Sequence, residues 1–245
     1  MARNSRTSTK LNARRLKSLF AIGSIAAILL AGCDSLSGRP TQADLPLRPT
    51  DITDFTTLYG ENCAGCHGAG GKFGAAITMN NPIYLAIVDD ASIHRVVAGG
   101  VPGTAMPPFA QSAGGSLTDR QIDILIAGIR KNWAGAPGAA EGAPSYSSSK
   151  PGDSNRGAMV YASNCQSCHG PDGKGGPAGS VVDPSYLSLV SDQYLRSIVI
   201  AGRPDLGHPN WKNAPARQPL TSQQVSDVVA WLASKRPASP LVQSN

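Results

Sequence analysis

The sequence predicts an all-α fold laid down twice in tandem, on three observations. The chain of 245 residues repeats itself: Asp54 to Trp133 and Ser154 to Arg236 align almost throughout at an offset of 102 or 103. In each copy the last segment opens with a capping-box pattern, Thr118-x-x-Gln121 or Thr221-x-x-Gln224. It continues with apolar residues at i, i+3, i+4 and i+7, namely Ile122, Leu125, Ile126 and Ile129, or Val225, Val228, Val229 and Leu232. That spacing draws one buried stripe along a helix. No convincing strand alternation interrupts it.

Residues 1–32 read as an export signal. Arg3, Arg6, Lys10, Arg14, Arg15 and Lys17 form a basic leader, and Leu19 to Ala31 is a 13-residue apolar stretch. Such a stretch is too short to span a bilayer comfortably and suits a signal core. The run Leu30-Ala31-Gly32-Cys33 resembles a bacterial lipobox, in which cleavage precedes a Cys that becomes diacylated. Cys33 is therefore the expected lipidation site, against an uncleaved anchor or an ordinary cleaved signal. Two or more acyl chains hold a protein stably on a membrane where one binds only marginally. Asp34 resembles an inner-membrane retention signal, which implies a periplasmic, membrane-anchored protein.

Removing this segment changes the charge. The whole chain carries 22 Lys+Arg against 16 Asp+Glu, a net +6. Six of those basic residues and no acidic one precede Cys33, so the rest holds 16 of each sign. No nucleic-acid role follows from such a balance.

From 33 to 53 the chain is polar, with Pro40, Pro46 and Pro49, and reads as a flexible tether. The first domain is then expected at 54–134 and the second at 153–237. Between them 135–152, rich in Ala, Gly, Pro and Ser, reads as a linker. Residues 238–245 form a tail. Each domain has roughly 80 residues, small for a self-supporting core, and needs something apolar at its centre.

Within each copy a first helix carries Phe55, Leu58 and Tyr59, or Val160 and Tyr161. It runs straight into Cys63-Ala64-Gly65-Cys66-His67 or Cys165-Gln166-Ser167-Cys168-His169. Two thiols at i and i+3 lie on one side of a helical turn and can each add to a haem vinyl group, and the adjacent His then points at the iron. A zinc site needs four converging ligands, usually from pairs about 15–20 residues apart, whereas these pairs stand 102 apart. A thioredoxin-like pair needs a βαβ pattern that is absent, and disulfides would not explain the His after each pair. The motifs use four of the five cysteines, and Cys33 is the fifth. Two covalently bound haems are expected. A middle helix follows, with Ile93, Val96 and Val97, or Leu195, Ile198 and Val199. Val97-Ala98-Gly99 is matched here with Ile200-Ala201-Gly202, and His94 with Ser197.

On these motifs each half resembles a class I cytochrome c domain. The whole is similar to tandem dihaem cytochromes c of bacterial electron-transfer chains. Such proteins receive haem outside the cytoplasm and are exported unfolded. The resemblance therefore favours the general secretion route over the twin-arginine route that Arg14-Arg15 superficially suggests. It implies a sixth iron ligand from a Met in the loop before the last helix. In the first half this is Met106, in Gly103-Thr104-Ala105-Met106-Pro107-Pro108-Phe109. Met79 lies close after the motif, and Met159 lies in the first helix of the second half, on the wrong side.

The second half departs from the pattern. Its loop reads Asp205-Leu206-Gly207-His208-Pro209-Asn210-Trp211, without a Met. Met106 stands 39 residues after His67, and His208 stands 39 after His169. His208 is the expected sixth ligand of haem 2. The alternative is a loop His beside an open, five-coordinate or water-ligated iron. A thioether raises the potential and an imidazole lowers it, so electrons would run downhill from the second domain to the first. Pro177 resembles the family proline whose carbonyl orients the proximal His, with Ala75 at that point in the first half. His94 is expected to be exposed or partly packed. Trp231 and Tyr161 suit either packing beside haem 2 or the core.

Three classes follow. The first is an electron carrier rather than an enzyme. It would pass electrons from a quinol-oxidising complex to a haem-copper oxidase, another cytochrome c or another acceptor, as tethered shuttle or complex subunit. The second is a dihaem peroxidase-like enzyme, which resembles a longer chain with a calcium site not supplied here. The third is a ligand-binding or sensing module, which requires an open haem 2.

Overall fold

The computed structural model describes residue 38, residues 44–216 and residues 218–237. The signal segment and Cys33 lie outside the described residues, as does the tail at 238–245. Among the described residues no strand forms. Two isolated bridges occur among these residues, Ala110 with Leu117 and Arg203 with His208. No helix among them is long and apolar enough to cross a membrane. The expected all-α class is what the chain adopts.

Among the described residues each half contributes five α-helices. The first has α1 Phe55–Asn62, α2 Ala64–His67, α3 Pro82–Ile87, α4 Asp90–Gly99 and α5 Asp119–Trp133. The second has α6 Ser154–Asn164, α7 Gln166–His169, α8 Pro184–Leu189, α9 Asp192–Ala201 and α10 Ser222–Ala233. The starts are chemically marked. Asp54 accepts from the Thr57 N–H and Asp153 from the Arg156 N–H. Asn81, Asp89, Asp183 and Ser191 cap the next four helices in the same way. Pro82 and Pro184 occupy first-turn positions where a missing N–H costs nothing. Both capping boxes close reciprocally, Thr118 with Gln121 and Thr221 with Gln224.

The apolar stripe of the last helix is buried in both halves. Ile122, Leu125, Ile126 and Ile129 meet Leu58, Tyr59, Leu85 and Ile93. Val225, Val228, Val229 and Leu232 meet Val160, Tyr161, Leu187 and Leu195. The last helix crosses the first helix at a glycine each time. A Cβ on Gly128 would lie 2.0 Å from the Phe55 ring, and one on Gly157 would lie 2.0 Å from the Asp227 carbonyl oxygen.

The repeat register is corrected in one place. Gly100 and Gly202 are the C-caps of α4 and α9, both in the left-handed region at φ +65° and +70°. The pairing is therefore Gly100 with Gly202, and His94 stands opposite Arg196 rather than Ser197. The physical reason is that each glycine must pass under the following loop, where a Cβ would strike backbone at 2.6–2.7 Å. The extra residue of the second half lies after that loop.

The halves interlock within one compact unit. Ala201 belongs to the first half's core, while Ile83 and Ile87 pack on the second half's. The Asn81 amide donates to the carbonyls of Ala201 and Gly202, at 3.2 Å each. The segment between the domains is docked as well. Pro144 is buried, and Arg196 donates to the Ser145 and Tyr146 carbonyls. The end of the expected tether is tied down where Gln121 donates to the carbonyls of Pro49 and Ile52.

Candidate functional site

Helix α1 ends because Cys63 leaves the helical region, at φ −121°. Its N–H closes the last turn on the Tyr59 carbonyl, and the chain at once starts the single turn of α2. Cys165 does the same at φ −121° between α6 and α7. This break-and-restart aims both thiols of a pair from one turn. Gly68 and Gly170 then reverse the chain at φ +83° and +78°, where a Cβ would sit 1.7 Å from the Lys72 carbonyl oxygen or 2.0 Å from that of Gly175. Tyr59 and Tyr161 donate their hydroxyls to the Gly68 and Gly170 carbonyls, at 3.2 and 2.7 Å.

All four thiols are free. Burial, with the neighbouring cysteine second, pushes the Cys63 and Cys165 thiols up to about 11. His67 Nδ1 donates to the Ile77 carbonyl at 2.8 Å, and His169 Nδ1 donates to the Gly179 carbonyl at 3.0 Å. A carbonyl can only accept, so Nδ1 carries the proton and Nε2 is left as an electron-pair donor. Burial lowers the basicity of His67, which keeps its ring neutral, as a ligand must be.

The orienting carbonyls are not those of Ala75 and Pro177. The N–H groups of Ala76 and Ala178 are drawn onto the Cys66 and Cys168 carbonyls at 2.9 Å. The carbonyl that reaches the imidazole therefore belongs to Ile77 or Gly179.

The loops carrying Met106 and His208 are built alike. The Val101 N–H donates to the Met106 carbonyl at 2.9 Å and the Arg203 N–H to the His208 carbonyl at 3.2 Å. Gly100 lies beneath Met106–Pro108 and Gly202 beneath His208–Pro209. The Thr104 hydroxyl accepts from the Met106 N–H and donates to the Val101 carbonyl. Met79 is buried in the first core, and Met159 is 65% exposed on α6.

In the second half the structure brings the two expected histidines face to face. The rings of His169 and His208 are 5.8 Å apart between centroids, tilted by 44°. His208 Nδ1 is buried without a hydrogen-bond partner. Burial, with His169 next, lowers its basicity. Paired thiols and an imidazole oriented through Nδ1 in each half, with the orphaned ring nitrogen of His208 in the second, fit a covalent haem in each half.

Tyr161 and Trp231 stack at 4.2 Å, and Trp231 reaches Gly173 just after the motif. They are core residues that also brace the attachment turn. His94 is partly packed, 3.9 Å from Asp123. Sequence reasoning missed Arg203 and Asp205. They form an ion pair at 2.8 Å with side chains 9% and 1% exposed, bonded to the loop after the first attachment motif. The available signal was Arg203-x-Asp205 directly after the C-cap glycine, where the first half has Val101-x-Gly103.

Comparison with known proteins covers both halves. The family model described as Cytochrome c matches residues 154–235. That of Cytochrome C oxidase, cbb3-type, subunit III matches residues 50–127. The Cbb3-type cytochrome c oxidase subunit FixPc of Rhizobium leguminosarum bv. viciae is 30% identical over 142 residues, 54% of this chain and 44% of that one. The Cytochrome bc1 complex cytochrome c subunit of Mycobacterium tuberculosis is 24% identical over 177 residues, 71% of this chain and 60% of that one. The chain spans about half the length of the curated relatives it matches. A solved Kuenenia stuttgartiensis reducing HAO-like protein complex overlays with a TM-score of 0.46 at 17% identity, covering 79% of this chain and 100% of that one.

Proposed function

We propose, from the premise that the chain is a tandem of two class I cytochrome c domains with two covalent haem c groups, that it carries electrons in a bacterial respiratory chain. It works between a quinol-oxidising complex and a haem-copper oxidase or another acceptor, as shuttle or complex subunit. A lipid on Cys33 holds it at the periplasmic face of the inner membrane. The relatives named as cbb3-type oxidase and bc1 complex subunits support the respiratory role.

Bound haem supplies one-electron chemistry at its iron. The chain's residues hold and tune it. Cys63 and Cys66, and Cys165 and Cys168, provide the thioether attachments. His67 and His169 are the proximal donors, oriented by the Ile77 and Gly179 carbonyls. Met106 and His208 would supply the second donor in the first and second halves. The thioether of Met106 would raise the first centre's potential, and the imidazole of His208 would lower the second's. The single observation that carries a carrier rather than a catalyst is the facing pair His169 and His208. A second imidazole beside His169 would occupy the place at which a substrate could otherwise bind.

The test is the near-infrared and low-temperature EPR spectrum of the dihaem protein and of His208→Met. The expected result is a Met-to-iron charge-transfer band from one haem and a low-spin bis-imidazole signal that His208→Met abolishes. A high-spin ferric signal from half the iron, unchanged by the substitution, would overturn the reading in favour of an open, ligand-binding site. Cys33→Ser should move the holoprotein from the membrane to the soluble fraction. Full membrane retention would overturn the anchor.

A further inference from the structure

We infer that the Arg203–Asp205 pair is a tuning element shared by both iron sites. From the second half it holds the loop that orients His67 in the first, while it shapes the loop that presents His208. The inference rests on the reading above that His67 and His208 are axial donors.

Arg203 is bonded to His208 through the main chain in both directions. The Arg203 N–H donates to the His208 carbonyl at 3.2 Å, and the His208 N–H donates to the Arg203 carbonyl at 3.0 Å. Its side chain points the other way, into the first half. Nη1 donates to the Ala76 carbonyl at 3.2 Å and Nη2 to the Gly74 carbonyl at 2.9 Å. Asp205 fixes the guanidinium from Nε and Nη2, at 3.1 and 2.8 Å. It accepts in turn from the Phe73 N–H at 2.8 Å and the Thr78 hydroxyl at 2.9 Å. Four residues around Ile77 are thus gripped from the second half, and Ile77 bears the carbonyl that orients His67.

Two features show that the grip is specific. Phe73 is held in the left-handed region at φ +62° although its side chain is 73% exposed, so no packing of its own compensates the strain. The Asp205 acceptor holds that N–H in place, and the corresponding residue of the other half is Gly175. The first half has no reciprocal clamp, because Val101 and Gly103 stand where Arg203 and Asp205 do. With both side chains out of water, their charges act at shorter effective screening than surface charges would.

The test is a spectroscopically resolved redox titration of the dihaem holoprotein, with EPR of each centre. Arg203→Met leaves a carboxylate unpaired, and both midpoints should fall. Asp205→Asn leaves a cation unpaired, and both should rise. Arg203→Lys keeps the charge and should return both towards the starting values. An unmoved first-half midpoint in Arg203→Met and Asp205→Asn, or shifts of the same sign in both, would overturn the inference. If Arg203→Met does not fold, Thr78→Val removes one hydroxyl in the first half and should alter the EPR signal of the second centre; an unchanged signal overturns the inference. The unsubstituted protein's own spectrum reports whether His208 ligates, and the first-half midpoint does not involve His208, so the two readings fail separately.

Discussion

Where the first and last helices cross, the first half sets Phe55 of α1 over Gly128 of α5, and the second sets Trp231 of α10 over Gly157 of α6. In the repeat register Phe55 corresponds to Gly157, and Gly128 to Trp231. The bulky and the small partner have changed helices, yet both crossings close. The gap admits the Phe55 ring in the first half and the Asp227 carbonyl with the Trp231 Cβ in the second, so close approach is needed in both while either helix can supply the glycine. The arginine clamp behaves the same way. Arg130 donates to the Leu85 and Val88 carbonyls and pairs with Asp90. Arg236 donates to the Leu187 and Val190 carbonyls and pairs with Asp192. The targets correspond residue for residue, but the arginines do not. The demand comes from carbonyls left over at the ends of α3 and α8, and any guanidinium arriving from the right side meets it. What the halves share to the residue is backbone geometry: the break at Cys63 and Cys165, the reversal at Gly68 and Gly170, and the caps.

The strongest way to break the comparison is to unload one half. Cys63→Ser with Cys66→Ser should halve the covalent haem per chain in a pyridine haemochrome assay, and Cys165→Ser with Cys168→Ser should do the same. Loss of both haems from either variant would show that the halves load only together. Next in size, Trp231→Ala should cost about 3–5 kcal/mol in denaturant unfolding. Phe55→Ala should cost less, because Phe55 is only partly buried. Equal costs would contradict the exchanged-partner description. Third, Gly157→Ala should destabilise by about 1–3 kcal/mol and more than Gly128→Ala, since its new methyl meets backbone rather than a ring that can tilt.

The smallest effect concerns pH. Asp227, buried in the second half, is held at about 2 by Arg156 first, with Gln223 and the Asp153 N–H adding to it. Ile124 stands at the corresponding place in the first half. A carboxylate whose pKa is depressed on folding adds stability above its unfolded pKa and loses it as pH falls through the folded one. Stability should therefore decline as pH drops from 3.8 towards 2, and Asp227→Asn should flatten that decline. A decline of the same size in Asp227→Asn would assign it to other groups.

Features encoded by short-range chemistry were readable in the sequence. The attachment motifs, the capping boxes at Thr118 and Thr221, and the stripe from Ile122 to Ile129 each depend on residues within two turns of one another. The carbonyls that orient His67 and His169 were misplaced by two residues, because a backbone acceptor has no side-chain signature. The glycine register slipped by one in a run where Gly99 and Gly100 look alike, until the close approach beneath Met106 distinguishes them. The Arg203–Asp205 grip was missed because its partners, three backbone groups and the Thr78 hydroxyl, lie some 130 positions earlier. An offset between two copies describes each copy and is silent about the seam between them.

The docked segment between the halves bears on how the chain would be cut. By composition, Gly135 to Gly152 is where a protease should find the easiest peptide bonds. Cleavage requires several residues to extend into an active-site cleft. Here Arg196 and Gln193 occupy the carbonyls of Ser145 and Tyr146, Ser148 is bonded to Ser226, and Gln223 holds the Pro151 carbonyl. Limited proteolysis should therefore spare this stretch while the second half is folded, and a nick between Pro144 and Pro151 would mark chains in which α9 and α10 have already opened.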